Sequence, residues 1–172
     1  MADKLTRVAV DTSVILDFLI ADDRAKADRA EHLLKGHNDR YTVLLPAIVI
    51  AEIAGAPTVR GHHLPKDDRK ERIAKALGWI RRSNFMVAEL SERTARRAAE
   101  IAVEHQLKGP DASVLATAEQ WGCTHLYASD GDHTKCDGKS GFKISEPDDP
   151  PPPELTLETE LQRRADEGQD DD

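Results

Sequence analysis

The strongest constraint on how this chain can fold is its rhythm. Short runs of β-branched and apolar residues recur between longer amphipathic stretches, the pattern of a parallel sheet whose strands are joined by helices. Strands are predicted at 7–10 (RVAV), 42–45 (TVLL), 85–88 (FMVA), 125–128 (HLYA) and 142–144 (FKI). Helices are predicted over 14–21, 24–35, 47–54, 67–82, 92–106 and 112–121, with Gly36 and Gly122 set to end two of them. The expected fold class is therefore α/β, a three-layer sandwich in which a five-stranded parallel sheet is flanked by helices.

Several boundaries have a local cause. Pro46 suits a first helical position, where a missing amide hydrogen costs nothing, so the second strand can run directly into a helix. Ser91 is the expected N-cap of the helix that carries a narrow alanine face of Ala95, Ala98, Ala99 and Ala102. After Glu146 the chain changes to Pro147, Asp148, Asp149 and four prolines, followed by a polar, acidic end. We expect a domain over 1–146 and a disordered Pro-rich acidic tail over 147–172, which lacks the apolar content to fold alone.

Charge matters here because the whole-chain value of −8 argues against a nucleic-acid partner. The tail holds ten acids against Arg163 and Arg164, so it accounts for all of that charge, and residues 1–146 carry 22 basic and 22 acidic side chains. The body is neutral. No apolar stretch is long enough to cross a bilayer, and no membrane association is expected. Cys123 and Cys136 do not describe a disulfide scaffold, and a reducing cytoplasm is the expected location.

The chemistry-bearing residues are acids placed around the strand ends, where open parallel sheets bind ligands. Asp11 ends the first strand in VAVDTSV, Glu52 follows the second in PAIVIAEI, Asp111 opens the helix GPDASVLATA, and Asp130 ends the strand HLYASD with Asp132 two residues on. Singly, Asp11 also reads as a cap for the helix at Val14, Asp111 as a helix-start acid, and Asp130-Gly131-Asp132 as a turn. Glu52 stands alone as a charge on an apolar helix and needs a partner. Gathered on one edge, these carboxylates repel one another unless a divalent cation joins them, and an all-oxygen donor set suits Mg²⁺ or Mn²⁺. Such a metal activates water toward a phosphodiester, so phosphate-ester hydrolysis follows.

Taken together, DTSV after the first strand, a Glu in the helix after the second, the DASVLATA helix start and SDGD after the fourth strand resemble a PIN-domain ribonuclease, most of all the VapC-type toxins of bacterial toxin-antitoxin modules. The likeness spans about residues 5–146. It implies that Asp11, Glu52, Asp111 and Asp130 are catalytic, metal-binding acids, with Asp132 at a more variable metal-side position. It also implies that Ser13 and Ser129 are supporting hydroxyls at the substrate site. The expected activity is Mg²⁺- or Mn²⁺-dependent RNA cleavage, by a homodimer restrained by a cognate antitoxin.

Two segments depart from a minimal toxin of this kind: the acidic tail and the cationic, His-containing loop 56–66. With that loop, Arg69 and Arg72, beside Lys70 and Lys75, offer phosphate contacts to an RNA backbone, although a solvated helix face explains the same charges. Trp79, Trp121, Tyr41 and Tyr127 suit core or edge positions better than a base-stacking platform. A rival zinc set, Cys123, His125, His133 and Cys136, has poor spacing and is not expected. A different class of reading is a PIN-fold module that binds RNA or a partner without catalysis. An aspartyl-phosphate mechanism is disfavoured, because Ser13 stands where a haloacid-dehalogenase-like site needs a second aspartate.

Overall fold

The computed structural model describes residues 5–20, 22–61 and 63–152. Five strands, β1 (Arg7–Val10), β2 (Thr42–Pro46), β3 (Met86–Ala88), β4 (His125–Tyr127) and β5 (Lys143–Ser145), form one parallel sheet in the order β3-β2-β1-β4-β5. Helices α1 (Thr12–Ile20), α2 (Arg24–Lys35), α3 (Ala47–Gly55), α4 (Pro57–Arg60), α5 (Lys66–Ser83), α6 (Glu92–His105), α7 (Gly109–Gln120) and α8 (Gly131–Thr134) flank it. The expected α/β sandwich is present.

Both faces of the sheet are covered, so its inner strands are continuously apolar rather than alternating. Val8, Ala9 and Val10 of β1 and Val43, Leu44 and Leu45 of β2 are all buried. In register, Ala9 lies between Leu44 and Leu126, a small residue between two large ones. We expect Leu44→Ala to cost about 2–5 kcal/mol in chemical denaturation. A loss under about 1 kcal/mol would contradict the close packing of this layer.

α7 lies against β1, β2, β4 and α6. Every residue from Ala112 to Ala118 is buried. Its hydroxyls are satisfied inside the helix: Ser113 Oγ donates to the Gly109 carbonyl at 2.8 Å and Thr117 Oγ1 to the Ser113 carbonyl at 2.7 Å. Small residues with self-contained polar groups let this helix sit deep against the sheet.

Local chemistry explains where the elements begin and end. α1 starts at Thr12, two residues earlier than expected, because Asp11 Oδ2 accepts the Ser13 amide at 2.9 Å and so caps it. Position 21, its expected end, lies outside the described residues. Pro46 closes β2 and is the N-cap of α3 rather than its first residue. α7 begins at Gly109, so Asp111 sits within its first turn. Ser91 caps α6 as expected, its hydroxyl accepting the Thr94 amide at 3.2 Å. Gly36 does end α2, but for space: a Cβ there would lie 2.6 Å from Tyr41 Oη, which donates to the Leu33 carbonyl. Trp79 stacks on Phe18 with ring centroids 4.7 Å apart, an edge-of-core role.

Two short helices were not foreseen. The expected loop after Glu52 contains α4, and the Asp130-Gly131-Asp132 turn opens α8. At the far end, Pro147 is buried and Arg29 pairs with Asp149 Oδ1 at 3.4 Å, so the first residues of the acidic segment rest on the body. The remainder, 153–172, lies outside the described residues. Among the described residues no helix is long and apolar enough to cross a membrane.

Candidate active site

The chain runs outward from β1 through β2 to β3 and then crosses to place β4 on the other side of β1, so the order reverses between β1 and β4. A crevice at the carboxyl ends of these strands is the ligand-binding position of open α/β sheets. Asp11 follows β1 directly and is buried, only 3% exposed. Asp130 stands three residues past β4, as the N-cap of α8.

Ser13 ties the two strand ends together. Its hydroxyl donates to Asp11 Oδ2 at 2.6 Å and accepts the Ser129 amide at 2.9 Å, while its own amide also donates to Asp11 Oδ2. The family resemblance implies a supporting hydroxyl at Ser13. Ser129 takes part through its backbone rather than through its hydroxyl. With Oδ2 bonded twice, Asp11 is oriented with Oδ1 toward His133, whose Nε2 lies 3.9 Å away.

Glu52 comes from α3, and Thr12 Oγ1 donates to its Oε2 across 40 residues of sequence. Burial raises the Glu52 pKa, and the negative charges of Asp11 and Asp111 raise it further against the opposing Thr12 bond and His133. Asp111, carried in by α7, is raised first by burial and then by Asp11 and Asp130, with His133 and Lys108 opposing. Asp130 shifts the other way: the His133 ring, whose Nδ1 donates to Asp130 Oδ1 at 3.1 Å, holds its carboxyl below the usual range. Asp11 and Asp130 lie with His133 in one tight group, and Glu52 and Asp111 stand near enough for the charge of Asp11 to raise their pKa values.

Asp132 is turned elsewhere. It is half-buried and pairs with Lys135 Nζ at 2.8 Å, which lowers its pKa. Of the two late aspartates, Asp130 is the one beside Asp11 and His133. Arg69 and Arg72 hold the chain itself: Arg69 Nε donates to the Leu64 carbonyl at 2.9 Å, and Arg72 donates to those of Val59 and Thr58. Each fastens the segment that follows α3 and keeps further N–H groups beyond these bonds.

Sequence reasoning missed His133. It is 0% exposed, and burial alone would lower its pKa, but the Asp130 bond and the charges of Asp11, Asp130 and Asp111 raise it instead. One ligand atom from each of Asp11, Asp130 and His133 lies within 4.8 Å of the others. A locus of mutually repelling carboxylates with a buried imidazole aimed into it fits a divalent cation. The rival zinc set does not assemble. His125 stacks on Tyr127, and Cys123 is a buried thiol pushed up to about 12 by desolvation.

Comparison with known proteins bears on the family and the fold. The family model described as PIN domain matches residues 8–139. Solved structures similar to this chain include VapC20 of Mycobacterium tuberculosis, a sarcin-ricin-loop-cleaving toxin, with 24% identity, TM-score 0.59, and coverage of 79% of this chain and 98% of that one. VapBC2 of Rickettsia felis, bound to a DNA fragment from its promoter, is 14% identical with TM-score 0.57, covering 83% and 99%. VapBC-5 of M. tuberculosis, a toxin-antitoxin family member, is 19% identical with TM-score 0.55, covering 82% and 98%. These likenesses establish the fold. No curated protein sequence matches the chain.

Proposed function

Because the chain belongs to the PIN-domain family, we propose that it is a metal-dependent endoribonuclease and the toxin of a VapBC-type pair. The observation that supports this reading is the group of Asp11, Asp130 and His133 within 4.8 Å of one another beyond the ends of β1 and β4, with Glu52 and Asp111 near enough to feel the charge of Asp11. Like charges gathered in a partly dry crevice are costly, and a structure retains them where a cation and its substrate need them. The similar folds of toxins, one of which cleaves the sarcin-ricin loop, point the same way.

Asp11, Glu52, Asp111 and Asp130 would hold Mg²⁺ or Mn²⁺, which when bound polarises a phosphoryl oxygen and makes a water acidic enough to attack phosphorus. The chain's own residues supply orientation. Ser13 fixes the Asp11 carboxylate through two hydrogen bonds, Thr12 fixes Glu52, and His133 fixes Asp130. The Ser13–Ser129 bond keeps the two strand ends at constant separation, so the acids face the substrate as a preformed set. The remaining N–H groups of Arg69 and Arg72 are the positions we assign to the approaching RNA backbone, and Asp132, paired with Lys135, is kept as a further acid on the metal side. A cognate antitoxin and a second copy of the chain are the expected partners, residues 1–146 the folded unit, and 147–172 an acidic extension.

Cleavage of total cellular RNA by the purified, antitoxin-free protein tests the reading. Discrete fragments are expected with Mg²⁺ or Mn²⁺ and none with a chelator. A folded, metal-loaded protein that binds RNA but cuts none would favour a binding module on the same fold.

A further inference from the structure

Resting on that metal-centre reading, we propose that His133 is itself a ligand of the centre through Nε2, and that the site is therefore matched to Mn²⁺ in preference to Mg²⁺. His133 is fully buried, and among the described residues its Nε2 has no hydrogen-bond partner. A buried polar atom without a partner is uncommon and calls for an occupant. The other ring nitrogen is committed, since Nδ1 donates to Asp130 Oδ1 at 3.1 Å. A carboxylate that accepts from one imidazole nitrogen fixes the tautomer in which the other presents a bare lone pair to a metal.

The lone pair has a facing donor. Asp11 Oδ1 lies 3.9 Å from Nε2, and Asp11 Oδ2 is already bonded by Ser13. Two donors on one ion at about 2.1 Å stand about 3 Å apart when adjacent and about 4.2 Å when opposite, so 3.9 Å lies within the reach of one ion. Asp130 approaches from the Nδ1 side of the ring and orients it, each of Asp11, Asp130 and His133 bringing one ligand atom within 4.8 Å of the others, and Glu52 and Asp111 add negative charge nearby. A proton and a cation compete for the same Nε2 position, and a divalent ion answers more of the surrounding charge than a proton does. Mg²⁺ favours an all-oxygen shell, whereas a nitrogen donor favours Mn²⁺ and the later divalent metals.

The full-length protein loaded with Mn²⁺ alone, read by pulsed electron paramagnetic resonance, tests this without an activity assay. The expected result is ¹⁴N modulation from a directly bound imidazole. In His133→Phe that signal disappears and Mn²⁺ affinity falls by about 10-fold or more, while Mg²⁺ affinity changes much less. Bound Mn²⁺ without ¹⁴N coupling overturns the proposal and leaves the carboxylate centre standing. So does coupling that persists in His133→Phe, or Mn²⁺ binding that is unchanged or tighter in that variant, as the loss of a competing imidazolium would produce. Absence of any Mn²⁺ binding by the parent protein overturns both this inference and the metal centre beneath it. Should the variant fail to fold, the parent spectrum decides alone.

Discussion

Asp11→Asn is expected to lower RNA cleavage by on the order of 10³-fold or more while leaving the fold intact. The two consequences separate because Asp11 does two jobs with two oxygens. Its Oδ2 accepts from the Ser13 amide and hydroxyl and so caps α1. An asparagine carbonyl can take over that work, so circular dichroism and thermal unfolding should stay close to those of the parent. What asparagine cannot supply is the negative charge beside His133 and Asp130. Cleavage retained by the folded variant within about 10-fold of the parent would remove Asp11 from the chemistry and reduce it to a helix cap.

Glu52→Gln is expected to cost on the order of 10²-fold or more in cleavage and yet to unfold at a higher temperature than the parent in chelator near neutral pH. Gln Oε1 still accepts from Thr12, so the hydrogen bond survives the change. The charge does not, and it is the charge that burial and the neighbouring Asp11 and Asp111 oppose. The sign follows from linkage. The folded-state pKa of Glu52 is raised above its ordinary 4.5, so its contribution to stability is full below that value and is lost as pH rises through the raised one. The variant's advantage should therefore be small near pH 5 and grow toward neutrality, and saturating Mn²⁺ should reverse the ranking by stabilising only the parent. Melting curves at several pH values, with and without metal, check this. An advantage independent of pH would show that Glu52 is not strained by its charge.

The sheet was legible because burial on both faces leaves little room for alternation, so strands such as RVAV and TVLL stand out as apolar runs between helices. The acids were legible because strand ends and helix starts place them: Asp11 after β1, Glu52 six residues after Pro46, and Asp111 in the first turn of α7. His133 was hidden. In sequence it pairs by eye with Cys136, and its neighbour Asp132 looks equally eligible for the site. A single turn of helix decides between them, sending Asp132 outward to Lys135 and His133 inward to Asp130. A four-residue helix has no periodicity from which that rotation can be read. Thr12 was passed over for a related reason: adjacent hydroxyls at the start of α1 look interchangeable, and only the approach of α3 gives Thr12 to Glu52 and Ser13 to Asp11.

The Ser13–Ser129 bond joins residues 116 positions apart, and β1 acquires its β4 neighbour only when that late strand docks. During synthesis, therefore, β1, β2 and β3 can pair well before the segment carrying Asp130 and His133 leaves the ribosome. Contacts so far apart in sequence form late and slowly. An unfinished chain holds Asp11 and Glu52 but not the complete centre. If the chain cuts RNA as proposed, nascent and truncated products would lack the complete centre, and the length of the chain itself would set an interval between the start of folding and the onset of activity.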